Sequence, residues 1–268
     1  MTPVDTPFQH PAHAIAGAWR ALPSWLPVPG LGALAVNAFL LKGREPLLVD
    51  TGLAALSEDF LARLAEEIDL EDLRWIWLSH TDADHIGNLD RLLARAPKAR
   101  VVTSFLGAGK MGLMGAGDPD RLRLLEPGEV FEVGGRRLRQ VKPPYYDAPE
   151  TMGFFDETDR VLFTADAFGA LLGGAVGAIE EIGAGDLRDG LVAWSSVDAP
   201  WLARMDRGAL GATLRALDRL DPAFVLSGHL PVARDIRALT GILATACGRG
   251  VTAAITPETV AQVEAILA

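Results

Sequence analysis

The stretch W-I-W-L-S-H-T-D-A-D-H-I-G-N, residues 75–88, changes from apolar to polar where four side chains able to bind a metal begin. Its first four residues have the length and character of a buried strand. The four metal-binding side chains are His80, Asp82, Asp84 and His85. They follow the predicted strand at its carboxyl end, where open α/β sheets place their ligands. Because Asp84 and His85 are adjacent, they can serve a different ion from His80 and Asp82, so the spacing suggests two metals rather than one.

Helix capping is the structural alternative for part of this cluster. A strand-to-helix turn often carries an Asp as a cap, and Asp84 could serve only that purpose. Imidazoles and carboxylates, however, rarely cluster beside a buried strand without a charge to hold. We therefore interpret the four side chains together as metal ligands.

Other acids and a histidine follow predicted strands elsewhere in the chain. The segment L-L-V-D-T-G, residues 47–52, ends in Asp50, for which we predict the role of orienting a metal-bound His rather than only closing the strand. Asp147 and Asp166 each follow a short predicted strand, although taken alone each could be a turn residue. The segment S-G-H, residues 227–229, presents His229 in the same way.

Composition limits the classes of protein to consider. The chain has 268 residues, a net charge of −10 and 49% apolar residues, so it can bury a large core. The negative charge argues against nucleic acid and against an anionic membrane surface as partners. We find no apolar run long enough to span a membrane and no signal peptide. The single cysteine, Cys247, is expected to be a small buried residue, and its lack of a partner within the chain fits a reducing cytoplasm.

Histidine is scarce, with five residues in the chain, so a metal site must draw most of its remaining ligands from carboxylates. His10 and His13 could form a further pair. Pro11 between them disfavours the helix that would place both on one face, and we leave their role unassigned.

Alternating strands and helices predict the fold. Ala33–Lys42 and Pro46–Asp50 resemble a hairpin, amphipathic helices are expected at Ser57–Ile68 and Leu89–Ala96, and Arg100–Thr103 resembles another strand. We expect two helices between Asp186 and Leu220, and C-terminal helices at Arg234–Cys247 and Pro257–Leu267. Gly107–Gly117 is interpreted as a helix end and a flexible loop.

These elements predict one α/β (α+β) domain over residues 31–268, a four-layer αββα sandwich with two mixed sheets face to face and helices outside. Residues 1–30 are rich in proline and are expected to be an N-terminal extension, mobile or draped over the surface.

The motifs resemble those of one family. H-T-D-A-D-H-I-G resembles the H-x-[H/E]-x-D-H-x-G signature of the metallo-β-lactamase fold, L-L-V-D-T-G the strand end before it, and S-G-H its final histidine. D-A-P-E-T-M and L-F-T-A-D-A-F-G are similar to segments of one branch, the β-lactamase-like domain of flavodiiron proteins and the stand-alone oxygen-binding di-iron proteins. The resemblance extends from about residue 36 to residue 232.

The resemblance implies which residues hold the metals. One ion would take His80, Asp82, Asp147 and Asp166, and the other would take Asp84, His85, Asp166 and His229, with Asp166 bridging. Two positions depart from the pattern. Asp82 stands where the branch usually has Glu, and Asp147 stands where His is usual, so the first site is weak, completed by water or empty in one interpretation. In the other, Asp147 stays a ligand and changes the preference for metals.

Three functions are weighed. An oxygen-rich set without thiols suits iron or manganese better than zinc, which favours a di-iron protein that binds or reduces O₂ or NO. The alternatives are a dimetal hydrolase of an ester, lactone or phosphodiester, and a non-enzymatic metal or oxygen sensor. The candidate catalytic residues are Asp84 and Tyr146. The phenol of a Tyr beside an oxygen-activating metal could donate a proton, although a Tyr is more often a packing residue.

The expected cofactors are two metal ions, iron before manganese or zinc, with no flavin bound by this chain. The short segment after His229 leaves no room for a flavodoxin-like part, so the electrons for a reduction would need a separate redox partner. A homodimer is included among the expected partners.

Overall fold

A computed structural model describes residues 1–246 of the chain. The strands are β1 (Phe8–Gln9), β2 (His13–Ala14), β3 (Trp19–Val28), β4 (Gly32–Leu41), β5 (Leu47–Val49), β6 (Trp75–Trp77), β7 (Arg100–Thr103), β8 (Leu122–Leu124), β9 (Val130–Val133), β10 (Arg136–Val141), β11 (Gly153–Asp156), β12 (Val161–Phe163), β13 (Leu171–Leu172), β14 (Phe224–Ser227) and β15 (Leu230–Ala233). The α-helices are α1 (Ser57–Glu67), α2 (Ala83–Ile86), α3 (Leu89–Arg95), α4 (Phe105–Met114), α5 (Ala184–Asp198), α6 (Arg207–Asp218) and α7 (Ile236–Ala246). None of the helices described has both the length and the apolar character that crossing a bilayer requires.

The strands form two mixed sheets. The first has the order β1-β3-β4-β5-β6-β7-β8, with β2 paired to β3 and β13 paired to β4. Strands β5, β6, β7 and β8 run parallel, as expected for strands joined by helices. The second sheet has the order β15-β14-β12-β11-β10-β9, in which only β12 and β14 pair in parallel.

The two sheets pack face to face and helices cover both outer faces. Aromatic rings from both sheets fill the space between them; the rings of Trp19 and Phe154, for example, stack at 5.6 Å. Apolar residues of α1 and α3 pack on the outer face of the first sheet, and those of α5, α6 and α7 on the outer face of the second. The predicted αββα sandwich is confirmed.

The expectation of a draped or mobile segment before residue 31 is wrong for β3. This strand pairs with β4 along its whole length, and Trp19, Leu22 and Trp25 are buried. Two prolines hid the strand in the sequence. They are tolerated because only the short strands β1 and β2 flank β3 on its other side, so few ladder hydrogen bonds are lost. Whether residues 31–268 form a folding unit by themselves stays a prediction.

The glycine-rich segment after residue 104 is also more ordered than expected. It forms the helix α4, in which the Ser104 side chain accepts a hydrogen bond from the backbone N–H of Gly107 and caps the N-terminus. Gly115, with a φ of 67°, ends the helix in the left-handed conformation that glycine adopts easily. The helix predicted at Pro257–Leu267 and the role predicted for Cys247 lie outside the described residues.

Candidate metal centre

The predicted ligands gather where parallel strands of the two sheets end. Asp50 follows β5 and the His80 segment follows β6 in the first sheet, whereas Asp166 follows β12 and His229 follows β14 in the second. Both strand pairs are parallel, so each pair delivers its polar residues to one edge. Because the sheets face each other, the two edges form a single cluster.

The short helix α2 arranges the first group of side chains. Asp82 occupies the N-cap position, but its side chain makes no capping hydrogen bond, and Asp84 lies within the first turn. The capping alternative for Asp84 is therefore not what the structure shows. At Gly87 a Cβ atom would lie 2.4 Å from Ala54 N and 2.4 Å from Gly52 O, so only glycine allows α2 to approach the backbone after β5 this closely.

Three imidazoles are fixed through their Nδ1 atoms. His85 Nδ1 lies 2.9 Å from Asp50 Oδ2, and His229 Nδ1 lies 2.8 Å from the carbonyl oxygen of Ala35. His80 Nδ1 lies 3.0 Å from Ser79 Oγ. A ring whose Nδ1–H donates to such a group keeps the lone pair on Nε2, which is the tautomer that binds a metal.

Asp50 organises two of these rings. Its Oδ1 accepts the backbone N–H of Ser79 at 2.7 Å, and its Oδ2 accepts the Ser79 hydroxyl at 2.8 Å in addition to the His85 ring. This arrangement matches the orienting role expected for Asp50 from the sequence.

Asp166 lies among the three Nε2 atoms. Its Oδ1 is 3.1 Å from His85 Nε2, and its Oδ2 is 3.3 Å from His229 Nε2 and 3.5 Å from His80 Nε2. Both carboxylate oxygens thus face imidazole nitrogens, as a bridging ligand between two ions would require.

The remaining carboxylates divide between two halves of the cluster. Ligand atoms of Asp84, His85 and His229 lie within 4.8 Å of one another and form one half. Ligand atoms of His80, Asp82 and Asp147 also lie within 4.8 Å of one another and form the other half. In this half, the distance between Asp147 Oδ1 and His80 Nε2 is 4.0 Å. All seven ligand positions expected from the sequence therefore come together.

The buried donor atoms fit a pair of cations. His80 Nε2, His85 Nε2 and Asp166 Oδ1 are buried; His80 Nε2 has no hydrogen-bond partner among the described residues, and the 3.1 Å contact between His85 Nε2 and Asp166 Oδ1 falls outside hydrogen-bond geometry. Leaving a buried polar atom unsatisfied costs about 1–3 kcal/mol, so three such atoms within one cluster are costly without a ligand. Metal ions would satisfy all three, and the mixture of imidazoles and carboxylates suits iron or manganese.

Neighbouring charges act against burial in setting the pKa values of most groups in the cluster. Burial opposes ionisation of Asp166, but His229, His85 and His80 outweigh it and hold its pKa well below the usual range. Burial works against a charge on His229 as well, yet Asp166 and Asp84 raise its pKa to about 9. His85 follows the same pattern, with a raised pKa, and His85 and His229 overcome burial to lower the pKa of Asp84. At Asp82, burial and the nearby Asp147 raise the pKa.

Tyr146 and the N-terminal histidines lie differently from the ligands. The ring of Tyr146 contacts Lys142, whose Nζ is 3.8 Å from the ring centroid, and the ring of Trp201 at 5.6 Å. The catalytic role expected for Tyr146 stays a prediction. His10 and His13 line a small cavity beside β3, and neither belongs to a group of three or more potential ligands within residues 1–246.

Asp198, the last residue of α5, was not anticipated from the sequence. Ligand atoms of Asp198, Asp147 and Asp166 lie within 4.8 Å of one another. Burial and the charges of Asp166 and Asp147 raise the pKa of Asp198 to about 8. The available signal was weak: an acid in the last turn of a helix opposes the helix dipole, but such residues are common.

Comparison with known proteins shows which family the sequence of this chain matches. A family model described as the metallo-beta-lactamase superfamily matches residues 31–229. An anaerobic nitric oxide reductase flavorubredoxin of Salmonella arizonae is 29% identical over 134 residues, which cover 50% of this chain and 28% of the relative. A flavo-diiron protein of Clostridium acetobutylicum is 29% identical over 136 residues, which cover 50% of this chain and 34% of the relative. The chain thus aligns with only about a third of each curated relative.

Solved structures share the fold. The rubredoxin oxygen:oxidoreductase of the anaerobe Desulfovibrio gigas superposes with a TM-score of 0.72 at 18% identity, covering 87% of this chain and 59% of that one. At this identity the likeness concerns the fold alone.

Proposed function

This chain belongs to the metallo-β-lactamase superfamily, and we propose that it is a di-iron protein that reduces O₂ or NO with electrons from a separate donor. The flavodiiron relationship of its homologues supports a di-iron centre. The name of a nitric oxide reductase among the homologues supports NO as a substrate, and O₂ is the second substrate that the resemblance of the motifs implies.

The donor set is the observation that carries the proposal. Three imidazoles surround both oxygens of Asp166, and three further aspartates complete the two halves of the cluster. Carboxylates stabilise higher oxidation states and lower the Lewis acidity that a metal hydroxide for hydrolysis needs. A set this rich in carboxylates therefore favours redox chemistry over hydrolysis.

Each side chain has a proposed part in holding the ions. His80, Asp82 and Asp147 would hold the first ion, Asp84, His85 and His229 would hold the second, and Asp166 would contribute to both. When bound, the two iron ions would offer coordination positions for O₂ or NO and would relay to the gas the electrons that the separate donor brings. Asp50 and Ser79 keep the imidazoles in the orientation that leaves Nε2 free.

Asp147 is proposed to keep its ligand role, although the resemblance of the motifs implies a His at this position. Its Oδ1 lies 4.0 Å from His80 Nε2, and its side chain is 23% exposed although the residue as a whole is exposed, so the carboxylate faces the cluster from its rim. The reading in which Asp147 points to solvent, with a Tyr filling the space, is disfavoured because the two tyrosines are occupied elsewhere. Tyr145 accepts the backbone N–H of Phe168, and Tyr146 packs on Lys142.

The proposed setting is a cytoplasmic homodimer served by a redox partner that brings electrons to the cluster. The partner is proposed to carry the electron-transfer group. A pull-down with this chain under reducing conditions would identify that partner.

The proposal is tested with protein isolated from iron-supplemented cells. We expect two iron ions per chain, and consumption of O₂ or NO when chemically reduced protein meets the gas in an electrode cell. Asp84→Ala should abolish turnover and lower the iron content, whereas the exposed Asp189→Asn serves as a matched control with wild-type values. Zinc-loaded protein that cleaves an ester, lactone or phosphodiester would instead support the hydrolase, and metal uptake without turnover of any of these would support a sensor.

A further inference from the structure

Asp198 brings an additional carboxylate to the first half of the metal centre. It ends α5, one turn after Trp194, so that the two side chains share a face of the helix. Trp194 Nε1 donates to the carbonyl oxygen of Asp166 at 3.0 Å, and its ring lies 4.5 Å from the His229 ring. The same face that packs on the centre therefore directs Asp198 towards Asp147 and Asp166.

The surroundings of Asp198 are unfavourable for a carboxylate without a cation. Its Oδ2 is buried and has no hydrogen-bond partner among the described residues. The charges that act on it most strongly include Asp166 and Asp147, both within the same 4.8 Å group. The carbonyl end of the α5 dipole adds further negative potential at this position.

A second observation points to a ligand at the same place. His80 is fully buried, and its Nε2 has no hydrogen-bond partner within residues 1–246. This nitrogen faces Asp166 Oδ2 at 3.5 Å and Asp147 Oδ1 at 4.0 Å, the two acids that Asp198 also approaches. An imidazole lone pair and a group of carboxylates directed at the same region form a cation site rather than a chance cluster of acids.

We propose that Asp198 is an additional protein ligand of the first ion and makes that position selective for Mn²⁺ or iron over Zn²⁺. The inference rests on the proposed dimetal function. With Asp198 the first ion has one nitrogen donor, His80, and four carboxylates, Asp82, Asp147, Asp166 and Asp198. The second ion has two nitrogen donors and two carboxylates, Asp84, His85, Asp166 and His229. The two positions therefore differ in the metals that they prefer, because oxygen donors suit Mn²⁺, whereas imidazole donors suit iron and Zn²⁺.

Metal titration of the stripped full-length chain tests this assignment without any turnover assay. Mn²⁺ binding is followed by the loss of the free-ion paramagnetic resonance signal and by calorimetry, and Zn²⁺ binding by calorimetry alone. We expect the wild type to bind two Mn²⁺. Asp198→Asn should weaken the first site for Mn²⁺ by at least about 10–100-fold, the loss that removal of a partner orienting a ligand already causes, while the second site keeps its affinity. Zn²⁺ affinity at the first site should fall less, so the Mn²⁺ to Zn²⁺ preference shifts towards zinc.

Two further variants separate coordination from a general effect on the fold. Asp198→Glu keeps a carboxylate and should retain most of the Mn²⁺ affinity. Asp189→Asn, on the exposed face of α5, should match the wild type. Unchanged Mn²⁺ affinity in Asp198→Asn, or equal losses in the Asn and Glu variants, would overturn the assignment. A chain that shows the expected Mn²⁺ pattern yet reduces neither O₂ nor NO with iron would refute the proposed function and leave the role of Asp198 standing.

Discussion

The carboxylate of Asp50 accepts hydrogen bonds from three donors. Ser79 contributes a backbone N–H and a hydroxyl, and His85 contributes Nδ1–H. A carboxylate is suited to this because it only accepts, whereas an amide would turn an N–H towards at least one donor.

Asp50→Asn should therefore weaken the binding of the second metal ion while leaving the fold intact. Loss of the partner that orients a metal-bound imidazole typically costs about 10–100-fold in affinity, and we expect a loss in that range. Calorimetric titration of the stripped variant with Fe²⁺ or Mn²⁺ measures it, with the exposed Asp59→Asn as the control. Wild-type affinity in Asp50→Asn would show that the ring orientation is set by packing alone.

The charge at Asp147 is predicted to tune the first ion. A carboxylate in place of an imidazole adds one negative charge, which favours the trivalent ion and lowers the reduction potential. Asp147→His should shift the potential of the iron-loaded protein upward, as measured by a redox titration followed in the visible spectrum. An unchanged potential together with unchanged iron content would mean that Asp147 is not coordinated.

Single residues were predictable from the sequence where the chain delivers them directly after a strand. His80, Asp166 and His229 share that placement, and Asp50 joins them through the strand before it. Asp198 was not predictable because it reaches the cluster from the end of a long helix. Its position depends on how α5 packs against the second sheet, which no local pattern encodes.

Helix α4 supports the loop that carries Asp147. Lys110 of this helix pairs with Glu150, which is 3% exposed and also accepts a hydrogen bond from Thr81 at 3.0 Å. Thr81 is the neighbour of His80, so the three residues connect α4, the loop and the first group of ligands. Burial opposes ionisation of Glu150, but Lys110 and Thr81 outweigh it and lower its pKa.

Lys110→Met should leave a buried carboxylate without its cation. We expect a loss of about 1–3 kcal/mol in the free energy of unfolding, less than for a fully buried pair because Lys110 is 44% exposed. Urea denaturation of the metal-free chain measures the loss, and Lys98→Met on the surface is the control. A variant as stable as the control would contradict a structural role for this pair.

The elements that the sequence failed to predict are those in which packing overrides local preference. Strand β3 contains prolines and helix α4 contains glycines, so neither follows the usual propensities. β3 persists because its whole length pairs with β4, and α4 because Ser104 and Gly115 define its ends. The strands β5, β6, β12 and β14 were predictable because each is a short, apolar and fully or nearly fully buried run.

At the scale of the whole molecule, the metal centre joins the two sheets. His80, Asp84 and His85 come from the first sheet, whereas Asp166 and His229 come from the second. Ions held by both groups would stabilise the folded chain in proportion to the logarithm of their concentration over the dissociation constant. Without ions, the clustered acids instead oppose the packing of α5 on the second sheet.

This opposition predicts a pH dependence for the metal-free chain. Burial and the neighbouring Asp166 and Asp147 raise the pKa of Asp198 to about 8, whereas an unfolded aspartate titrates at about 3.9. Between these values the folded chain holds a proton that the unfolded chain has released, so this group makes the fold less stable as the pH rises.

Asp198→Asn removes that effect, and the metal-free variant should be more stable than the wild type. The difference in the free energy of unfolding should grow from about pH 4 to about pH 8 and then level off, and a shift of about four pKa units at about 1.4 kcal/mol each sets its upper limit at roughly 5 kcal/mol. Urea denaturation at several pH values, with chelator present, measures it. A difference that does not vary with pH would contradict the raised pKa of Asp198.

Anomalous X-ray scattering at the iron and zinc absorption edges is the most direct test of a di-iron centre. On crystals of protein from its native source, we predict two iron peaks per chain, one among His80, Asp82 and Asp147 and the other among Asp84, His85 and His229, on either side of Asp166. A single peak, no peak, or peaks at the zinc edge alone would contradict the account.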